Sequence, residues 1–203
     1  MLKTFRESLC AGILITIGGT VFLSCENKTV GAVLFSVALL CICYKGYYLF
    51  TGKIGYIVER HKKQDFLNLA VGLFGNLIAT FLLGMLLRTV LPNIGEKAAE
   101  MCSAKLAQFP LYTFIRGFFC GILMYLAVSI YKEKNSVLGI LFCVPVFILC
   151  GFEHSIADMF YLGASGIFSV KIILFTALVV AGNTFGAIVL PLLKGVHTDE
   201  KQG

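Results

Sequence analysis

The sequence predicts an all-α membrane protein of six transmembrane helices, arranged as two inverted three-helix repeats in which helices 2 and 5 are broken. Three observations predict this fold. The 203 residues are 58% hydrophobic and only 14% charged, which is more apolar surface than the core of a soluble domain can bury. Apolar stretches long enough to cross a bilayer recur six times. The two halves of the chain also share a pattern of glycines and asparagines.

Each apolar stretch approaches or exceeds the roughly 20 residues that a helix needs to span a bilayer. The loops between them are too short for a separate domain, so residues 1–203 form one transmembrane domain, with repeats at approximately 1–92 and 105–194. The predicted spans are residues 8–24, 30–50 with a tail to about 58, 66–91, 109–131, 137–162 and 168–193.

Lysine and arginine in the short loops predict the orientation, because they are enriched on the cytoplasmic side. One side carries Lys3, Arg6, Lys53, Arg60, Lys62, Lys63, Lys132, Lys134, Lys194 and Lys201, and the other side carries Lys28, Lys97, Lys105 and Lys171. We therefore expect a multi-pass protein of the cell (inner) membrane with both termini in the cytoplasm. These charges are not clustered with aromatic residues, so the bilayer is the expected partner and nucleic acid is not.

The repeat is visible as residues of the first half that recur in the same order in the second half, each separated from its counterpart by nearly the same number of positions. Gly12 and Gly46 recur 105 positions later as Gly117 and Gly151. The Gly-Asn dipeptide that begins at Gly75 recurs 107 positions later. Because each half contains an odd number of spans, the two halves must have opposite orientations in the membrane. The spacing therefore predicts an inverted repeat.

Transporters with inverted repeats bind their substrates near the midplane, where paired helices are broken. The first predicted break, residues 45–52, offers the hydroxyl of Thr51, which can equally serve as a helix cap. The second puts Glu153, His154 and Ser155 inside an apolar run. Ionisable groups at that depth usually line a water-filled path or pair with one another. We expect a substrate site here, the alternative being a packing role.

Three other polar residues have a clearer structural reading. Asn76 and Asn183 each follow a glycine in spans three and six, and we expect their amides to bond the broken backbone of their own repeat. Lys105 precedes span four in an outward loop, where spacing alone favours an ordinary interface lysine. Charge neutralisation between Lys45 and Asp158, and a disulfide between Cys25 and Cys102, are open as hypotheses.

The chain resembles the formate/nitrite transporter family over essentially its whole length. The residues that carry this resemblance are 31–36, 49–51, 68, 75–76, 116–120, 151–160 and 182–183. The resemblance implies an aquaporin-like fold, a homopentamer and a separate pore in each protomer. Two departures are Gly121 and Asp158, because the family usually has asparagine at both positions.

The resemblance also implies roles for individual residues. His154 matches the family's central pore histidine, Thr51 its loop threonine and Lys105 the lysine of its outer vestibule. The matches to its hydrophobic constrictions are Phe35, Leu39, Leu49, Phe50 and Phe147.

We therefore expect a carrier of small monovalent anions such as formate, nitrite or hydrosulfide. In this hypothesis Lys105 attracts the anion, and His154, supported by Glu153, lends it a proton or a strong hydrogen bond. The main alternative is a pore for water or a small polyol. A membrane-embedded enzyme or redox protein lacks a metal-ligand cluster, a Cys-x-x-Cys motif or an activated nucleophile in the sequence, so we expect no enzyme and no cofactor. A purely structural pentamer would have no use for paired helix breaks.

Overall fold

A computed structural model describes residues 1–58 and 61–195 of the chain, so Arg60 and Lys201 of the charge count lie outside the described residues. The described residues form nine α-helices and one 3₁₀ helix. The α-helices are α1 (Leu2–Ser24), α2 (Lys28–Lys45), α3 (Phe50–Lys53), α4 (Lys63–Val90), α5 (Pro92–Leu106), α6 (Pro110–Lys134), α7 (Leu138–Leu149), α8 (Ser155–Ser165) and α9 (Lys171–Lys194), and the 3₁₀ helix (Ile54–Val58) continues α3.

The six predicted spans are confirmed. Helices α1, α4, α6 and α9 are single helices of 23 to 28 residues, long enough and apolar enough to cross a membrane. Span two is divided into α2 and the α3 segment, and span five into α7 and α8. The helix breaks therefore fall in the two spans that the repeat predicts.

One connection differs from the prediction. The outward loop after span three is instead largely helical, because α5 begins directly at Pro92. Proline is favoured at the first position of a helix, where its missing N–H would have no partner in any case. Helix α5 packs against α8, and the last turn of α5 therefore lies over the second break. Lys105 therefore lies in a helix rather than in a loop.

In each repeat, the segment that follows the break packs against a helix of the other repeat. The α8 half-helix of the second repeat packs against α4 of the first, and the 3₁₀ helix of the first packs against α9 of the second. Helices α2 and α7, which precede the two breaks, also contact one another. Both breaks are consequently brought to the interface between the repeats.

The amide of Asn76 holds the first break. Its Oδ1 accepts a hydrogen bond of 2.9 Å from the N–H of Phe50, where α3 begins. Its Nδ2 donates to the carbonyl oxygens of Ser8 at 2.8 Å and Tyr48 at 2.9 Å. One buried side chain thereby satisfies two backbone groups of the break, the N–H of Phe50 and the carbonyl of Tyr48, and ties them to the carbonyl of Ser8 in the continuous helix α1.

The amide of Asn183 does the same at the second break. Its Oδ1 accepts from the N–H of Ser155 at 2.9 Å, where α8 begins. Its Nδ2 donates to the carbonyl oxygens of Gly117 at 2.9 Å and Glu153 at 2.8 Å. The same set of three bonds in both repeats makes the internal symmetry a property of the hydrogen bonding as well as of the sequence.

Each half-helix before a break ends on a glycine in the left-handed region. Gly46 and Gly151 both have a φ of 68°, and both positions are open enough that a Cβ would meet no atom within 4 Å. Backbone strain is therefore the only cost of adding a side chain at either glycine. Replacing Gly151 by alanine is expected to lower the free energy of unfolding by about 1–2 kcal/mol.

The matched control is Gly151→Asn, because asparagine adopts this conformation more readily than alanine. Thermal unfolding of the purified protein in detergent would compare the two variants. Equal losses for alanine and asparagine would show that the backbone at this position does not need the left-handed conformation.

Candidate substrate pathway

Two cavities approach the breaks. The larger has a volume of about 600 Å³ and is lined by residues that include Lys105, Phe147, Ala157 and Tyr161. The smaller has a volume of about 160 Å³, and Leu39, Leu49 and Val128 contribute to its wall. We call them the outer and inner cavities, after the predicted orientation.

Thr51 and His154 lie at the two breaks and contact each other across the repeat interface. The Oγ1 of Thr51 and the Nε2 of His154 are 2.8 Å apart, and the two residues are only 1% and 2% exposed. The sequence predicts one of these residues at each break, but it does not predict that they bond to one another. The tertiary fold thus joins the two halves of the repeat at a single buried polar contact.

The second ring nitrogen defines the protonation state of His154. Its Nδ1 accepts a hydrogen bond of 3.1 Å from the N–H of Ala157, so His154 is the side-chain N-cap of α8. A nitrogen that accepts from an N–H carries no proton itself, and the proton of a neutral imidazole must then reside on Nε2. The ring is therefore neutral, with Nε2–H donating to Thr51.

Both short half-helices begin at this contact. Helix α3 begins at Phe50 and α8 begins at Ser155, so the first turns of both adjoin the pair formed by Thr51 and His154. The N-terminus of a helix carries a partial positive charge and N–H groups that favour an anion. The N–H groups of Phe50, Ser155 and Ala157 already have acceptors in Asn76, Asn183 and His154, so what remains to favour negative charge here is the partial positive charge of α8, the longer of the two helices.

Apolar rings and leucines surround the polar pair. The ring of Phe147 stacks on the imidazole of His154 at 5.6 Å between centroids, with 21° between the planes. Phe35 meets the edge of Phe147 at 6.3 Å, and both are less than 5% exposed. Leu39 and Leu49 lie on the side of the inner cavity. The hydroxyl of Thr51 and the imidazole of His154 are therefore set among apolar rings and leucines.

The fifth predicted constriction residue has different surroundings. Phe50 packs in a small cluster with Ile54, Leu69 and Ala187, between α3, α4 and α9. Its buried side chain joins α3 to the neighbouring spans rather than joining the stacked rings beside His154.

Lys105 has a role that the sequence does not predict. Its ammonium group forms a salt bridge with Glu153 and a second one of 3.0 Å with Asp158. Burial alone would lower the pKa of Lys105, but the carboxylates of Asp158 and Glu153 outweigh burial and hold that pKa above its usual value. The lysine stays charged, and its charge is balanced by acids. It is not a free cation facing the outer cavity.

The carboxylate of Glu153 likewise turns away from the imidazole. One of its oxygens binds Lys105 and the other accepts from Nε2 of Gln108 at 2.9 Å. The expected support of His154 by Glu153 is replaced by this cluster. Ser155 contributes its backbone N–H to Asn183, and its buried Oγ has no partner among the described residues.

The sequence reasoning missed Gln108 and Tyr161 as site residues, and it named Asp158 only as a departure from the family pattern and as a partner for Lys45. Gln108 lies in the turn after α5, where its N–H donates to the carbonyl of Lys105 at 3.2 Å, and Asp158 lies in the first turn of α8, four residues after its N-cap His154. These short spacings from Lys105 and His154 are the signal that the sequence offers. Tyr161 lies one turn further along α8 and lines the outer cavity.

Several sequence hypotheses are corrected. Lys45 is exposed at the end of α2, and Asp158 pairs with Lys105 instead. Cys25 and Cys102 are free thiols. A Cβ on Gly121 would lie 2.9 Å from the backbone nitrogen of Ala187, so this glycine permits close packing of α6 against α9. Its departure from the family pattern therefore concerns helix packing rather than the polarity of the pathway.

Removing the hydroxyl of Thr51 tests the contact with His154. The Thr51→Val variant leaves the buried Nε2–H without an acceptor, which is expected to lower the free energy of unfolding by about 1–3 kcal/mol. Thr51→Ser keeps the hydroxyl and should lose less. Thermal unfolding in detergent would measure both, and equal values for valine and serine would contradict the hydrogen bond.

Comparison with known proteins agrees with this geometry. The family model described as formate/nitrite transporter matches residues 1–194. The uncharacterized transporter YwcJ of Bacillus subtilis (strain 168) is 28% identical, over 78% of this chain and 70% of that protein. The formate channel FocA of Escherichia coli (strain K12) is 25% identical, over 78% of this chain. The match spans 65% of the length of FocA, so somewhat less than two thirds of that protein is represented.

Two solved structures share the fold. A pentameric formate channel with formate bound superimposes with a TM-score of 0.81 at 24% identity, covering 95% of both chains. An ion channel of the FNT family gives a TM-score of 0.76 at 20% identity, covering 95% of this chain and 87% of that one. These likenesses show the aquaporin-like fold, and the family match covers nearly the whole sequence. The chain belongs to the formate/nitrite transporter family of membrane transport proteins.

Proposed function

We propose that this protein moves small monovalent anions of weak acids, such as formate, nitrite or hydrosulfide, across the cell (inner) membrane. The observation that carries the proposal is the buried pair formed by Thr51 and His154, which lies beside Phe147 of the outer cavity and next in sequence to Leu49 of the inner cavity. Formate is the first substrate to test, because formate channels are among the proteins to which the chain is similar.

The apolar rings and leucines around this pair require that the anion be neutralised. Transferring a bare ion into such surroundings costs several kcal/mol even after relaxation. The N-terminus of α8 attracts negative charge, and the Nε2–H of His154, which donates to Thr51 in this structure, is the hydrogen-bond donor beside Phe147. When the imidazole takes up a proton from the outer solution and passes it to the anion, the substrate crosses between Phe147 and Leu39 as a neutral acid and the ring returns to its neutral form. Acidification should therefore increase flux.

The salt bridges assign Lys105 a different role from attraction of the anion. By balancing Glu153, it keeps a buried negative charge from repelling the substrate at the entrance to the break. Attraction then comes from the N-terminus of α8, because the lysines of the outer cavity, Lys28 and Lys97, are matched there by Glu26 and Glu100.

The proposal includes a homopentamer with one pathway in each protomer and with both termini in the cytoplasm. The pathway runs between the two repeats of a single chain, so each protomer holds a complete pore. Large apolar side chains such as Phe74, Phe142 and Ile173 remain more than 60% exposed on the single chain, where lipid or neighbouring protomers can cover them. Native mass spectrometry of the purified protein would measure the number of chains.

Flux into proteoliposomes tests the transport proposal and separates it from the neutral-solute alternative. Formate, nitrite, hydrosulfide and acetate would be added outside at several pH values, with glycerol and water permeation measured on the same vesicles. The proposal predicts anion flux that rises as the external pH falls. Glycerol or water permeation without anion flux would instead establish a neutral-solute pore.

A further inference from the structure

Two carboxylates surround one ammonium group beside the second break. Lys105 binds both Glu153 and Asp158, and the side chains of the two acids are only 1% and 4% exposed. With all three groups ionised, the cluster would carry a net charge of −1 away from water. Burying an uncompensated charge is strongly unfavourable, so the cluster favours any state in which that charge is cancelled.

The hydrogen bonds indicate which of the two acids takes up a proton and so cancels the net charge of the cluster. Both oxygens of Glu153 have donors, one from Lys105 and one from Gln108. Asp158 uses only Oδ1, which is 3.0 Å from the ammonium group of Lys105, and its Oδ2 is buried with no partner among the described residues. An ionised oxygen without a donor loses its full hydration energy, whereas a protonated one loses much less.

Other titratable groups near the cluster leave this balance unchanged. Helix α5 contributes the thiol of Cys102, α6 the thiol of Cys120, and α8 the phenol of Tyr161. Thiols and phenols that are shielded from water are uncharged near neutral pH. The remaining charge of −1 is therefore set by Lys105, Glu153 and Asp158 alone.

We propose that Asp158 carries an exchangeable proton on Oδ2, so that the cluster with Lys105 and Glu153 is neutral when protonated and net negative when the proton is lost. The consequence for transport rests on the proposed function. Since the outer cavity lies against this cluster through Lys105, loss of the proton at high external pH places a negative charge beside the entering anion. Anion flux then falls as the pH rises, in addition to any effect of His154.

Asp158→Asn removes the exchangeable proton while keeping an oxygen that can accept from Lys105. The variant cluster is neutral at every pH, so its anion flux at alkaline external pH should exceed that of the wild type. A unit charge roughly 10 Å from the anion, at an effective dielectric constant of about 20, predicts a difference on the order of tenfold. The difference between the two proteins should shrink as the pH falls and Asp158 of the wild type becomes protonated.

Infrared spectroscopy of the purified protein in lipid measures the proton without relying on transport. The wild type should show the carbonyl stretch of a protonated carboxylic acid that disappears at alkaline pH, and Asp158→Asn should lack this band. Glu153→Gln should lack it too, because a cluster of one ammonium and one carboxylate is already neutral and Asp158 then ionises.

The outcomes distinguish the two proposals. A wild-type spectrum that matches that of Asp158→Asn at all pH values, or a band that persists in Glu153→Gln, overturns the assignment of the proton to Asp158. An unchanged pH profile of flux in Asp158→Asn overturns its role in transport. Absence of anion flux from the wild type, with the infrared band present, overturns the proposed function and leaves the proton assignment intact.

Discussion

Replacing His154 by alanine is expected to reduce formate or nitrite flux into proteoliposomes by roughly 10- to 100-fold and to flatten its dependence on pH. The imidazole Nε2–H is the hydrogen-bond donor beside Phe147, and a hydrogen bond to a charged group contributes about 1.5–3 kcal/mol. Each 1.4 kcal/mol corresponds to about a factor of ten. Initial rates across a range of external pH would measure both effects.

The matched control is His154→Asn, because the ring has a second function as the N-cap of α8. Asparagine is among the best N-caps, so it should keep the acceptor for the N–H of Ala157 and preserve stability. It has no group that takes up a proton near neutral pH. Asparagine should therefore fold like the wild type and lose the part of the pH dependence that comes from His154, leaving the part set by Asp158. Full flux with an unchanged pH profile in the alanine variant would refute the role of His154.

Replacing Lys105 by methionine is expected to lower the free energy of unfolding by about 3–5 kcal/mol, the typical effect of removing one partner of a buried ion pair. The long apolar side chain fills a similar volume, so the loss comes from Glu153, which remains charged without its partner. Unfolding in detergent, followed by circular dichroism as temperature or denaturant increases, would measure the change.

A double-mutant cycle separates charge from packing. Combining Lys105→Met with Glu153→Gln removes both charges, and the double variant should recover most of the stability that the single variant loses. Losses that simply add would show that the salt bridge does not stabilise the fold. Lys28→Met provides a second control, because Lys28 is exposed and lines the same cavity.

The two asparagines show which part of the structure the internal repeat can predict. Asn76 and Asn183 could be placed at broken helices because the Gly-Asn pairs recur at nearly the spacing of Gly46 and Gly151. Their bonds to three backbone groups each agree with that expectation in type, but the partners at Ser8 and Gly117 come from helices distant in sequence. Periodicity identifies the residue that bonds the backbone, and only packing identifies the backbone that it bonds.

Lys105 shows where such reasoning ends. A lysine before a predicted span looks like an exposed interface residue, and the resemblance to a transporter family suggests an attracting cation. Neither the position of Lys105 in the sequence nor the family resemblance predicts that Pro92 begins a helix whose last turn lies over the second break. The partners of Lys105 are 48 and 53 positions away in the sequence, so no local pattern predicts them.

The sequence by itself determined the six spans, the inverted repeat, the family and the polar residues at the two breaks. These properties follow from hydropathy, from the parity of the span count and from residues that recur at fixed spacings, all of which are local or periodic. The tertiary structure alone decided that Thr51 bonds to His154, that His154 caps α8 as a neutral ring, and that Lys105 pairs with two acids. Each of these depends on contacts between distant helices, where burial decides which charges must be paired.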